Sequence, residues 1–70
     1  MATAQFTVTG MTCQHCVASV TEEVSEISGV TGVEVDLDSG RLTVSSDTPI
    51  DEATVRAAVD EAGYTVTTAG

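Results

Sequence analysis

The sequence predicts an α+β fold of order β-α-β-β-α-β: a four-stranded antiparallel sheet with two helices on one face, the ferredoxin-like split arrangement. Three observations carry this. Apolar residues alternate in four short segments, they recur at steps of three and four in two longer ones, and the two periods follow each other in that order. Seventy residues make a single domain, 1–70, with a small core, since a chain this short buries only about 60% of its unfolded surface.

The first strand is Gln5 to Thr9, where Phe6 and Val8 face one way and Gln5, Thr7 and Thr9 the other. Gly10 ends it, and a cysteine-bearing loop follows. From Cys16 the period changes: Val17, Val20, Val24 and Ile27 form one apolar helical stripe, with Glu22, Glu23 and Glu26 off it. Gly29 is placed to stop that helix. Val33, Val35 and Leu37 alternate with Glu34, Asp36 and Asp38 in a second strand. The turn residues Asp38 to Gly40 then lead into Leu42 and Val44, completing a hairpin. After the loop Ser45 to Pro49, a second helix buries Val55, Val59 and Ala62, with its N-cap at Asp51 or at Thr48. Gly63 closes it, and Tyr64 to Thr67 is the last strand.

Composition excludes several functions. Eleven acidic residues face two arginines and no lysine, for a net charge of -9. Phosphate neutralisation needs clustered Lys and Arg, so nucleic acid is not the partner. An anionic membrane surface is disfavoured for the same reason. No apolar run approaches the roughly 18 residues of a membrane span, and the N-terminus does not read as an export signal. The expectation is a complete, free-standing cytoplasmic protein without direct membrane insertion. Its acidity is either a solvating face or a match for a basic partner.

The chemistry is concentrated in "GMTCQHC", Gly10 to Cys16, which holds both cysteines, the only histidine and one of two methionines. Three readings compete. A Cys13–Cys16 disulfide closes a very short loop and adds little chain-entropy stabilisation, and the expected compartment is reducing. A redox dithiol suits C-x-x-C between a strand and a helix, and a helix N-terminus lowers a thiol's pKa for redox and metal chemistry alike. The element order nevertheless lacks the additional elements of a thioredoxin-like enzyme, and Pro49 has no evident active-site role. The third reading is a metal clip. Structural zinc wants four protein ligands, whereas this loop offers two thiolates and one imidazole. Cu(I) is soft and accepts so few ligands. An open site of this kind lets a second pair of thiols attack, which suits handing an ion over.

Met11 is either a thioether ligand or an anchor packed beneath the loop, the role for which a flexible side chain is better suited. His15 lies between the cysteines and points outward, as a bystander or as a third ligand. As a ligand, within one chain or shared across a copper-bridged homodimer, it would make the site sensitive to pH in the imidazole range.

"GMTCQHC" before an apolar-periodic helix, "GV" at Gly29-Val30, "VEVDL" at Val33 to Leu37 and "AVDEAGY" at Ala58 to Tyr64 resemble the heavy-metal-associated domain. Within it the resemblance is to small bacterial copper chaperones of the CopZ type, and it runs from about Gln5 to Val66. It implies the ferredoxin-like fold, no enzymatic activity, and Cu(I) on Cys13 and Cys16. It also implies delivery to the metal-binding domain of a copper-transporting P-type ATPase or to a copper-responsive regulator. Tyr64 is expected near the metal loop, where eukaryotic relatives typically have lysine; there its ring would shield the site and its hydroxyl approach a thiolate, or it packs into the core. Those relatives dock through a lysine-rich face, so docking here runs with opposite polarity. The rivals are a regulatory metal-binding domain of a transport ATPase, a mercury-binding relative and a small thiol oxidoreductase.

Overall fold

The computed structural model describes residues 1–69, with side chains through Thr67. Its elements are β1 (Ala2–Thr9), α1 (Gln14–Ser25), β2 (Val30–Asp36), β3 (Arg41–Ser46), α2 (Glu52–Glu61) and β4 (Thr65–Ala69), the predicted order. The sheet runs β2-β3-β1-β4 and every neighbouring pair is antiparallel. Register follows the hydrophobic pattern, because a slip of one residue would turn each strand's apolar set to solvent. Val35 pairs with Leu42 and Leu42 with Phe6; one step along, Val33 pairs with Val44 and Val44 with Ala4.

These rows meet both helices on one face. The core is Phe6 and Val8 of β1, Val20 and Val24 of α1, Leu42 and Val44 of β3, Val55 and Val59 of α2, and Val66 of β4. Val20, Val24, Leu42, Val55 and Val59 are fully buried. Each such side chain contributes about 1.5–3 kcal/mol against chain entropy, and none of this burial involves metal.

Several boundaries differ from expectation. β1 begins at Ala2, because Ala2 and Ala4 continue the inward alternation with side chains too small to register as apolar signals. β2 starts at Val30 and stops at Asp36, leaving Leu37 in the turn. There the Asp36 carboxylate accepts from Asp38 N at 3.0 Å, and the Asp36 carbonyl accepts from Gly40 N at 2.8 Å. This local Asx turn competes with strand pairing and wins. α1 ends at Ser25, and Gly29 serves a separate turn in which Val30 N donates to Ile27 O at 3.2 Å. For α2 the N-cap is Asp51, whose carboxylate accepts from Ala53 N at 3.2 Å.

Candidate metal centre

Two connections meet at one end of the sheet. β1 ends beside the start of β4, where Thr9 pairs with Thr65. Consequently the loop from Gly10 to Cys13 lies next to Tyr64, which precedes β4. The end of α2 fixes Tyr64 from its own side. Gly63 sits at φ +93, outside the range comfortable for other residues, and lets the helix close in a Schellman turn. Gly63 N donates to Asp60 O at 2.9 Å and Tyr64 N to Val59 O at 3.1 Å.

Cys13 is the N-cap of α1, with extended backbone (φ -157, ψ 172). Its carbonyl accepts from Cys16 N at 3.1 Å and from Val17 N at 3.3 Å, which forms the first turn. Its side chain makes no capping hydrogen bond, and that turn contains no acidic residue. The N-terminal end of α1 thus keeps its positive dipole end for the sulfurs. Both cysteines are free thiols, Cys13 exposed and Cys16 buried, with Sγ atoms 3.3 Å apart.

The two thiols are not equivalent. The Cys16 thiol is lowered from its usual 9.0 to about 6. The largest cause is the Tyr64 side chain; the Thr12 backbone and Cys13 add to it, while burial opposes it. The Tyr64 phenol is correspondingly raised, first by Cys16, then by burial and by the charge of the cysteines. Thr12 Oγ1 is 3.9 Å from Cys16 Sγ, a long contact.

The remaining expectations separate cleanly. Met11 is half-buried and packs against the core, the anchoring role. His15 is exposed on the first turn of α1. Among the described residues no group of three or more His, Cys, Asp or Glu is gathered at one point. Tyr64 is half-buried and packs against the core. Two contributors carry no signal in the sequence pattern: Thr12, whose backbone favours the Cys16 thiolate, and Gly10, against which the Tyr64 ring lies.

The profile of the heavy-metal-associated domain matches residues 5–65. The chain belongs to that family. Among its heavy-metal-associated relatives, the copper chaperone CopZ of Bacillus subtilis is 40% identical over 60 residues, covering 84% of this chain and 87% of its own. A solved CopZ metallochaperone superposes with a TM-score of 0.88 at 30% identity, covering 94% of this chain and 100% of that one. A copper binding domain from HMA7, a P-type ATPase, superposes at 0.87 with 29% identity, covering 99% of this chain and 97% of that one. Heavy-metal-associated chaperones and ATPase domains therefore share this fold, and the fold alone does not distinguish donor from acceptor.

Proposed function

We propose that this protein is a cytoplasmic Cu(I) carrier, with residues 1–70 acting as one domain, Cys13 and Cys16 as its ligands, and a copper-transporting P-type ATPase as its acceptor. It is a copper chaperone and not an enzyme. The observation that carries the reading is the pair of free thiols 3.3 Å apart at the uncapped start of α1, with no third His, Cys, Asp or Glu gathered around them among the described residues. Two soft donors without a third suit a soft monovalent ion and fall short of the four that structural zinc takes. Similarity to copper chaperones supports the choice of copper.

The asymmetry of the pair suggests how the ion is handed over. Cys13 is exposed and Cys16 is buried against the core. An acceptor thiolate attacks the ion from the solvent side, adding one metal–sulfur bond, and the Cys13–copper bond breaks next. A second acceptor thiolate then displaces Cys16. Copper remains Cu(I) throughout, and each released thiolate either takes a proton from water or stays ionised. A copper-responsive regulator with paired cysteines would receive the ion by the same exchange, and a second copy of the chain would form a copper-bridged pair.

The polarity of docking follows from charge. Glu22 is exposed on α1 and Glu26 at its C-cap, and the chain has no lysine. An acceptor face bearing Lys or Arg is steered toward α1, through an attraction screened beyond about 8 Å at physiological salt.

Anaerobic Cu(I) titration against a competing chelator tests the reading. Cys13→Ser and Cys16→Ser should each weaken binding by orders of magnitude with unchanged far-UV circular dichroism. Tight binding by both variants, or efficient disulfide reduction by the wild-type protein, would favour the oxidoreductase reading instead. In the same system, transfer to an ATPase metal-binding domain should slow with added salt; a rate indifferent to salt removes the basic acceptor face.

A further inference from the structure

Acidic side chains stand at both ends of α2, and the helix dipole favours only those at its start. There Glu52 occupies the first turn and is held by Arg56, whose Nε lies 2.7 Å from its carboxylate. At the other end Asp60 and Glu61 are both exposed in the last turn, which has no basic residue. The last carbonyls of a helix already carry partial negative charge, so two carboxylates beside them oppose the turn. Among the described residues Arg56–Glu52 is the only ion pair, so no neighbouring cation neutralises Asp60 or Glu61.

The same turn holds Tyr64. Gly63 N donates to Asp60 O at 2.9 Å and Tyr64 N to Val59 O at 3.1 Å, which closes the helix directly before the tyrosine. The Tyr64 ring lies against Gly10, where an added Cβ would stand 3.2 Å from Cδ1, at the entrance to the cysteine loop. The end of α1 makes the contrast. Glu22 and Glu23 in its last turn and Glu26 at its C-cap oppose that helix dipole too. That end, however, lies a helix length of 12 residues, about 18 Å, from the loop.

We propose that the end of α2 is an ionic-strength-sensitive latch on the cysteine loop. At low salt the Asp60 and Glu61 carboxylates loosen the closing turn, and the Tyr64 ring leaves Gly10. Dissolved cations screen the carboxylates, the turn closes and the ring returns. The screening length shrinks from about 30 Å at roughly 0.01 M salt to about 8 Å at physiological strength, so the latch responds within that interval. It needs no metal and holds whatever the cargo of the loop, so it is measured on the metal-free, reduced protein.

Across that interval, amide exchange at Gly63 and Tyr64 should slow about tenfold, the scale of two carboxylates set against a helix end. Nuclear Overhauser contacts from the Tyr64 ring to Gly10 Hα should strengthen. Acrylamide, an uncharged quencher, should quench Tyr64 emission less; Tyr64 is the only tyrosine in a chain without tryptophan. An uncharged solute at matched osmolality should do none of this.

Two double variants locate the effect. Asp60→Asn with Glu61→Gln should keep the ring on Gly10 at low salt and cut the salt response to less than about twofold. Glu22→Gln with Glu26→Gln should leave that response intact. Each double variant carries a net charge of -7, since -9 + 2 = -7, so total charge alone predicts the same behaviour from both. Ring contacts and amide exchange that ignore salt in the wild-type protein overturn the proposal. So does a salt response removed equally by both double variants, which would assign it to the charge of the whole chain.

Discussion

Helix α2 begins on Asp51, whose carboxylate accepts from Ala53 N at 3.2 Å, and Glu52 follows in its first turn. Helix α1 begins on Cys13, whose side chain caps nothing, and its first turn has no acid. The first arrangement satisfies an orphan amide and places negative charge against the dipole, which stabilises the helix start. The second forgoes both. What α1 has instead is two sulfurs, one of them titrating at about 6, at the dipole end where thiolate is favoured. Within one small fold the same element is thus started once for stability and once for chemistry. Local rules of this kind are most often broken where a protein binds or reacts.

Exchanging the two kinds of start is the sharpest way to break that comparison. Cys13→Asp gives α1 the cap that α2 has, on a backbone already extended as an N-cap requires. It should abolish tight Cu(I) binding, a loss of orders of magnitude. Below the Cys16 titration, where no thiolate repels the new carboxylate, it should also raise unfolding free energy by about 1 kcal/mol. The mirror change Asp51→Ala should cost about 1 kcal/mol and leave copper affinity alone. Denaturant titration and the chelator competition read both. A Cys13→Asp variant that is less stable than wild type would show that Cys13 supports the fold in its own right.

The next effect is smaller and lies in pH. The folded protein holds the Cys16 thiol at about 6, below its usual 9.0, so the unfolded chain binds a proton that the folded one has released across that interval. Stability of the reduced, metal-free protein should therefore rise with pH from about 6 to about 9. The contribution is complete above the unfolded value and lost as pH falls through the folded one. Cys16→Ser should flatten this slope, and Tyr64→Phe should narrow it by raising the thiol. Thiolate absorbance in the ultraviolet gives the folded titration directly, and a slope unchanged in Cys16→Ser would assign it elsewhere.

The smallest effect is expected at His15. It is exposed on the first turn of α1, between the two cysteines in sequence. His15→Ala should change Cu(I) affinity by no more than a few-fold. A loss as large as that of a cysteine would make it an obligatory ligand and end the two-sulfur description.

Much of this protein is written in local pattern. The alternation of Phe6 with Val8 and of Leu42 with Val44, and the stripe through Val20 and Val24, set strands and helices in their order and chose the buried face. These are signals of period two and 3.6, which a single chain carries without reference to anything distant. The "GMTCQHC" segment was equally legible, because both candidate ligands lie three residues apart across one helix start. Tertiary structure decided what depends on distant groups or on competing local hydrogen bonds. Asp36 drew Leu37 out of its strand by turning the chain, and Asp51 rather than Thr48 took the cap. Gly10 and Tyr64 met only because Thr9 pairs with Thr65. No periodicity encodes a contact between residues so far apart in sequence; the sheet has to form before the ring meets the glycine.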